Sequence, residues 1–361
     1  MCTYHSQFAT YVYAKQGLPL NEIAERLSVR YLLEGSVRKI AQQYRIAMRL
    51  VDAKTETVIW SSVYEESNAQ LFELQSDVVE AISQQILSPL DKPLSNDVKP
   101  ERADTVAYQH YLKGLYWLMH GKTSEWFYRA ESAFLAAVEQ DSTFAAAFGR
   151  LAYVYARYDY HDVYMQPQQA IQKSKSAILK ATTLDPDEVN AYLAKAVLAT
   201  KSKDFALAQQ ALEHVLNESE DHKTALYLFS ELALARNDFD EALKFAEKAI
   251  AIDPLSPWIN VNLAIVHYWR GSYDSALAAL ETAISVDENY TWAYVWQSKI
   301  YHAKGNVIAA INSMEKCMVL DAASPLNSAW LGKSYEQVGD TEQAQQWFAH
   351  TASLYGDVDY A

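Results

Sequence analysis

The sequence predicts a mostly α-helical protein, in which a right-handed α-solenoid of helix–turn–helix repeats follows a small, partial α+β domain. Three observations lead to this prediction. Segments of similar pattern recur every 34 residues through the second half of the chain. Glycine is scarce, at 10 of 361 residues, which disfavours loop-rich β-barrels and favours helix. Half of the residues are hydrophobic, which is enough to bury a large core.

The first hundred residues differ in pattern from the rest. A short helix is predicted over residues 20–27. Residues 28–66 predict strands, because Ile46, Met48 and Leu50 alternate with less apolar neighbours, as in a strand with one buried face. The sequence therefore predicts a small α+β module near the start of the chain.

A long amphipathic helix is predicted next, over residues 69–90, because apolar residues recur there at helical spacing along one face. A segment with proline and mixed charge follows and reads as a linker. We therefore expect an α+β module over residues 1–90, a linker over 91–106 and repeats over 107–358.

A 34-residue repeat occupies the remaining chain. Alanines at one spacing mark five copies of it: Ala208, Ala242, Ala276, Ala310 and Ala344. Each copy predicts two amphipathic helices, and Gly271, Gly305 and Gly339 supply the turn between them. Because one copy cannot bury its own apolar face, the copies must stack. We expect seven copies, of which the first two are longer: 107–144, 145–188, 189–222, 223–256, 257–290, 291–324 and 325–358.

Residues at fixed positions of these copies resemble the tetratricopeptide repeat. The copy from Pro257 supplies Leu263, Ala264, Gly271, Tyr273, Ala276 and Ala283. The copy from Pro325 supplies Leu331, Gly332, Tyr335, Gly339, Asp340, Ala344 and Phe348. The resemblance implies a superhelix with a concave groove, lined by one face of the first helix of each copy, that binds a protein or peptide.

The first module resembles another family, at residues 29–38, 45–52 and 59–64. It is similar to the TolB-N-like (FlgO-like) α/β module. In bacteria that module often precedes tetratricopeptide repeats, behind a winged-helix DNA-binding domain and a membrane span or behind an adenylate cyclase domain. The family module begins with a strand and a helix upstream of this start. Two alternatives follow: the start is truncated, or a partner strand is missing.

Motifs for catalysis are not found in the sequence. It contains no phosphate-binding loop, dinucleotide fingerprint, zinc-protease motif or nucleophile elbow. The two cysteines, Cys2 and Cys317, form no disulfide framework or zinc site. Asp159, His161 and Asp162 lie in the insertion of the second copy and are interpreted as a polar loop. We expect no enzyme, no metal and no cofactor.

The predicted groove is therefore the candidate site. The resemblance assigns it residues with many aromatic and a few charged side chains, the types that dominate peptide-binding hot spots. These residues are Tyr153, Arg157, Asn190, Lys201, Tyr227, Glu231, Trp258, Tyr268, Trp269, Trp292, Trp296, Lys299, His302, Trp330, Lys333 and Glu336.

Charge limits the choice of partner. The net charge is −14, and residues 101–361 carry 21 basic and 33 acidic residues, so the repeats lack the basic surface of a nucleic-acid binder. No stretch reaches the length of a membrane span and no signal peptide is present. The expected location is the cytoplasm, or the periplasm if a membrane anchor lies upstream. Oligomeric state stays open.

Two functions are compatible with these features. The first is a non-catalytic scaffold that binds a protein or peptide segment in the groove. The second is the sensory or regulatory portion of a bacterial signalling protein, a membrane-anchored transcriptional regulator or an adenylate cyclase, whose effector domain is absent from this chain.

Overall fold

The computed structural model describes residues 19–26, 29–40, 43–67, 104–120, 125–157 and 165–356. The chain divides into two compact units, Met1–Gln109 and His110–Ala361, and each is considered by itself. The predicted helix over 69–90, almost all of the predicted linker, Cys2 and the three polar residues of the second-copy insertion lie outside the described residues.

The first unit contains one short helix and an antiparallel sheet. The helix α1 spans Leu20–Arg26, and the strands are β1 (Tyr31–Ile40), β2 (Gln43–Asp52) and β3 (Thr57–Ser67). The strand order is β1-β2-β3, so each strand pairs with the next one along the chain. The short helix and the strands predicted from the sequence are thus observed, whereas the likeness to a TolB-N-like module stays a prediction.

One face of the sheet is buried as the alternation predicts. Leu50 is 2% exposed, Ile46 and Met48 are half-buried, and Arg45 and Arg49 are exposed. A register shift between β2 and β3 follows Leu50, and such a bulge increases the local twist.

The helices from Thr105 onward form seven consecutive antiparallel pairs. The first helices are α2 (Thr105–His120), α4 (Ala145–Ala156), α6 (Val189–Lys201), α8 (Lys223–Ala235), α10 (Pro257–Trp269), α12 (Thr291–Ala303) and α14 (Pro325–Gln337). The second helices are α3 (Glu125–Gln140), α5 (Pro167–Leu184), α7 (Phe205–Glu218), α9 (Phe239–Ile252), α11 (Tyr273–Val286), α13 (Val307–Leu320) and α15 (Thr341–Gly356). The predicted fold class, a helical solenoid after a small α+β part, is confirmed.

The turn inside each regular pair has one residue in the left-handed region. Gly271, Gly305 and Gly339 have φ values of +74°, +76° and +83°. The equivalent residues of the two preceding copies are Lys203 and Asn237, with φ values of +63° and +59°. This conformation ends the first helix and reverses the chain in three residues. The glycine turns were predicted from the sequence, but Lys203 was not.

The repeated alanines lie between the helices of each pair. Ala208, Ala242, Ala276 and Ala310 are fully buried, and Ala344 is 3% exposed. A methyl group at this position lets the two helices approach closely, so each pair buries one apolar seam. Further apolar residues join consecutive pairs into larger clusters, as the stacking argument predicts.

The second pair has a longer connection than the others. The helix α4 ends at Ala156 and α5 begins only at Pro167, whereas three residues separate α6 from α7. This is the place where the sequence predicts an insertion. Arg157, the first residue after α4, is buried, at 8% exposure.

Candidate functional site

Six of the predicted groove residues surround one pocket between α10, α12 and α14. We call it the aromatic pocket; its volume is about 480 Å³, and it is lined by Tyr268, Trp269, Trp296, Lys299, His302, Ala303 and Trp330. All of these side chains come from first helices of the last three copies. The grouping predicted from the groove positions of the repeat is therefore present here in three dimensions.

The repeat itself explains why these residues meet. Trp296 and Trp330 are 34 residues apart, as are Tyr268 and His302. Because stacked copies repeat the same packing, equivalent positions form rows along the array. Two rows, one of indoles and one of smaller rings, thus form neighbouring walls of the pocket.

Ring contacts fix the walls. The Tyr268 and Trp296 rings meet edge to face, with centroids 5.7 Å apart, and the His302 and Trp330 rings do so at 5.2 Å. The indole nitrogen of Trp330 donates a hydrogen bond to the Ser298 hydroxyl oxygen at 3.3 Å. These contacts hold the rings in place before any ligand arrives.

Trp269 is the most accessible ring of the pocket. Its side chain is 55% exposed, although it lies parallel to the Phe239 ring at a centroid distance of 6.4 Å. An indole supported on one face and open on the other can bury much apolar area on binding.

Lys299 is the cation of the pocket. Its Nζ lies 4.4 Å from the centroid of the Trp296 ring, within cation–π range. Burial lowers the pKa of this ammonium below its ordinary value. Among the residues described by the structure, no carboxylate or hydrogen-bond acceptor is recorded for this group. The cation therefore rests on an aromatic face without a counter-ion.

His302 contributes a neutral ring. Its Nε2 lies 2.8 Å from the Ser334 hydroxyl oxygen, which in turn donates to the carbonyl of Trp330 at 2.8 Å. Burial lowers the pKa of His302 below its ordinary value of 6.5. Because the Ser334 hydroxyl proton is already donated to that carbonyl, Nε2 of His302 donates its own proton to the Ser334 oxygen. The imidazole ring then forms part of the wall of the aromatic pocket.

A second group of predicted residues forms hydrogen bonds within the group. We call it the arginine cluster; it consists of Arg157, Tyr227 and Glu231. Arg157 donates to both carboxylate oxygens of Glu231, at 2.6 and 3.2 Å, and to the Tyr227 hydroxyl at 2.8 Å. The Tyr227 hydroxyl also donates to Glu231 at 2.6 Å. This bidentate ion pair joins the second copy to the fourth. It leaves few donors or acceptors of these three side chains to bind a ligand.

Three other predicted residues are held by neighbours. Lys201 donates to the carbonyl of Ala156 at 2.7 Å. Asn190 is 9% exposed and donates to the carboxylate of Glu188 at 2.7 Å. Tyr153 packs partly buried against the core.

The remaining predicted residues divide by exposure. Trp258 meets the Tyr227 ring edge to face at 4.8 Å, and Trp292 packs partly buried between helices. Lys333 and Glu336 are exposed and do not line the aromatic pocket. Structural packing thus accounts for both tryptophans.

The structure contains a second cavity that the sequence analysis did not predict. It measures about 650 Å³ and opens beside Trp269, lined by residues of two successive turns: Arg236, Asn237, Asp238, Phe239, Asp240, Trp269, Arg270 and Ser272. Arg270 forms an ion pair with Asp240, and the Nη1 atom of Arg236 lies 3.6 Å from the Oε2 atom of Glu241. Both arginines that line this cavity are therefore paired with carboxylates. The only sequence signal was an aromatic residue directly after the turn at Asp238.

The described residues contain neither a cluster of metal ligands nor a helix of membrane-spanning character. No group of three or more His, Cys, Asp or Glu side chains is placed to hold a metal ion. Within the same residues, no helix combines the length and the hydropathy needed to cross a bilayer. Cys317 is fully buried, and burial raises the pKa of its thiol to about 12, as expected for a packed side chain.

Comparison with known proteins agrees with this architecture. Two family models described as tetratricopeptide repeat match residues 233–299 and 293–323. Over 74 residues, the chain is 30% identical to a curated protein described as putative adenylate cyclase 3 of Rhizobium meliloti (strain 1021). That match covers 20% of this chain and 13% of the cyclase, so the chain spans a small part of the relative's length.

Solved structures share the fold at low identity. The APC/C hetero-tetramer Cut9–Hcn1 has a TM-score of 0.50 at 12% identity, covering 78% of this chain and 50% of that one. Yeast Tom70 has a TM-score of 0.49 at 16% identity, covering 78% and 70%. A tetratricopeptide repeat protein of Parabacteroides merdae has a TM-score of 0.45 at 18% identity, covering 69% and 93%. The helical pairs, the 34-residue spacing and the two family models show that the chain contains tetratricopeptide repeats.

Proposed function

We propose that the protein is a non-catalytic interaction scaffold, which holds a segment of a partner protein in the concave groove formed by the first helices of its repeats. The observation that carries this proposal is the aromatic pocket. It brings six groove residues from three copies around one space of about 480 Å³. Fixed aromatic rings around an open space are typical of binding hot spots.

The two halves of the predicted groove differ in their capacity to bind. In copies 2–4 the arginine cluster pairs its own charges across the array. In copies 5–7 the aromatic pocket offers an exposed indole and an unpaired cation. We therefore centre the partner on α10, α12 and α14.

One structural neighbour supports an interaction role. Cut9–Hcn1 is named as a hetero-tetramer, so a solenoid with a related fold works inside a multi-protein assembly. An extended groove of stacked helices suits such a role, because it presents a long surface of fixed side chains to another chain.

Photocrosslinking tests the proposal. Benzoylphenylalanine replaces Trp269 in the full chain, and a control variant carries it at Val319, which is 86% exposed on α13. We expect a defined protein adduct from position 269 in cell lysate and none of the same mass from position 319.

The captured protein, purified, should then bind Trp269→Ala at least about tenfold more weakly than wild type, while Val319→Ala binds normally. Circular dichroism should show unchanged helicity in both variants. Equal adducts at both positions, or normal binding by Trp269→Ala, would exclude the groove as the binding site.

A second candidate function has one observation in its favour, the match to a putative adenylate cyclase over 74 residues. In this alternative, the chain is the sensory or regulatory portion of a signalling protein, and the effector lies elsewhere. Sequencing the coding region upstream of Met1 tests this candidate. An in-frame cyclase or winged-helix domain would support it, and an upstream stop codon without such a domain in the operon would count against it.

A further inference from the structure

The partner's chemistry can be taken one step further, on the basis of the proposed function. We propose that the aromatic pocket selects an internal Asp or Glu side chain next to a bulky apolar residue of the bound segment, with Lys299 as the ionic contact. The apolar neighbour would pack on Trp269 and Tyr268, and the carboxylate would accept hydrogen bonds from Lys299.

Lys299 has no counter-ion among the residues that the structure describes. Lys299 is half-buried, and its ammonium rests on Trp296 at 4.4 Å with no acceptor recorded among the described residues. Two basic residues that directly follow the first helices α10 and α12 are different, because Arg270 pairs with Asp240 and Lys304 with Asp274. A partly desolvated cation gains most from a carboxylate that enters the same low-dielectric space.

The aromatic pocket disfavours cationic ligands. Rings arranged around a space can also attract a cation, as in sites for quaternary ammonium groups. Here the face of Trp296 already holds the chain's own ammonium, so a ligand cation would meet like charge. The pocket is therefore built for an anionic or neutral group beside apolar surface.

Charge is distributed unevenly between the first and the second helices of the copies. The first helices α6, α8, α10, α12 and α14 contain five Lys and two acidic residues, whereas the second helices α7, α9, α11, α13 and α15 contain three Lys and nine acidic residues. Among these helices, the excess of acidic over basic residues thus lies on the second ones. A segment with acidic side chains would be attracted to the first-helix face and repelled by the other.

The acidic residues of the first helices do not neutralise the pocket. Glu231 is bound to Arg157 in the arginine cluster, and Glu336 is exposed and outside the pocket lining. The cation of Lys299 is consequently available to a partner's carboxylate.

A displayed library of random twelve-residue peptides, fused so that no free carboxyl terminus is present, tests the inference on the full chain. Wild type should enrich sequences with Asp or Glu adjacent to Trp, Phe, Leu or Met. Lys299→Met should still enrich the bulky apolar residue but lose the acidic one. Lys333→Met is the matched control, because Lys333 has the same repeat position in the next copy but lies exposed, outside the pocket.

A double-mutant cycle with the most enriched peptide then measures the coupling between its acidic residue and Lys299. The peptide's affinity for wild type should fall at least tenfold when its acidic residue is changed to Gln or Asn, and by a similar factor with Lys299→Met. The two changes together should cost no more than either alone, and Lys333→Met should change affinity less than twofold. Raised salt should weaken the acidic peptide more than its amide form.

The possible failures are distinct. Enrichment of apolar residues without an acidic preference, or an acidic preference that survives Lys299→Met, overturns the inference and leaves the groove proposal standing. No enrichment by wild type above the bare support overturns both. A third outcome is that the enriched peptides match segments of this chain and that the protein self-associates as its concentration rises. The occupant of the pocket would then be a second copy of the chain, and the inference would also be overturned.

Discussion

At the scale of the residue, the repeat makes equivalent positions comparable within one molecule. The N-cap of each second helix is one such series. Asp238 accepts a hydrogen bond from the backbone of Glu241 at 3.0 Å, and Asn306 accepts one from Ala309 at 3.2 Å. Ser272, in the copy between them, makes no side-chain cap. One copy thus lacks a stabilising contact that its neighbours have.

Replacement of Ser272 by Asp should supply this contact. A capping carboxylate at a helix N-terminus also interacts favourably with the helix dipole, so we expect a gain of about 0.5–1 kcal/mol in the free energy of unfolding. Urea unfolding followed by circular dichroism measures the gain as a higher midpoint. Ser272→Ala is the control and should leave the midpoint nearly unchanged; a large loss there would mean that Ser272 already caps α11.

His222 gives the stability a dependence on pH. Its Nδ1 accepts the N-cap hydrogen bond from the backbone of Ala225 at 3.2 Å, which requires a neutral ring. Burial, together with the charges of Arg150 and Lys223, lowers the pKa of His222 below 6.5. The unfolded chain therefore binds the proton at a higher pH than the folded one, and stability is lost as pH falls below about 6.5.

His222→Asn should reduce this loss, because Asn caps a helix without taking up a proton. We expect a smaller fall in the unfolding midpoint from pH 7 to pH 5 than in wild type. Part of the fall should remain, since burial also lowers the pKa values of His267 and His302. His222→Ala should also be less sensitive to pH but less stable throughout. An unchanged pH profile in the Asn variant would show that His222 does not titrate in this range.

At the scale of the element, close helix packing depends on the alanine series. Ala276 is fully buried between α10 and α11, whereas Ala278 on the same helix is exposed. Ala276→Leu adds three carbons where the two helices touch, and overpacking of this kind typically costs about 1–3 kcal/mol. Ala278→Leu should change the free energy of unfolding by less than about 0.5 kcal/mol. Equal effects of the two variants would show that the seam tolerates large side chains.

The helices were predictable because local signals repeat. Alanine at fixed spacing, and glycine after the first helices α10, α12 and α14, set the bounds of the pairs almost without tertiary information. Lys203 escaped this reasoning, because nothing in a lysine indicates a left-handed conformation; only its place 34 residues before Asn237 does. The strands of the first unit were predictable from the alternation around Ile46 for a similar reason, since their period of two is local.

The site was predictable only in part. The groove positions correctly brought Trp296, Lys299 and Trp330 together, because rows of equivalent residues follow from stacking. The exposure of each side chain was not predictable, since it depends on neighbours in other copies. Trp258 rests on Tyr227, and Arg157 reaches Glu231 across 74 positions in the sequence. Such pairings arise from the angle between copies, which no local pattern specifies.

At the scale of the whole molecule, charge is sorted between the two layers of the repeats. The sequence alone gives a net acidic array, and an acidic partner would seem excluded. The structure changes this conclusion, because in copies 3–7 the acidic residues lie mostly on the second helices and in the turns, whereas the first helices carry more Lys than Glu. The net charge of the array bears on its solubility. The charge of the surface that would contact a partner bears on which partner the array prefers.

The bond between Arg157 and Glu231 also has a mechanical consequence. In a solenoid each copy ordinarily contacts only the next, so every interface can open alone. A contact from copy 2 to copy 4 makes three copies separate together, whereas the side-chain bonds His302–Ser334 and Trp330–Ser298 join only adjacent copies. Under tension the first half would resist as a block and the second half would extend step by step. If a partner segment binds in the aromatic pocket as we propose, force on the array would release that segment before it separates the arginine cluster.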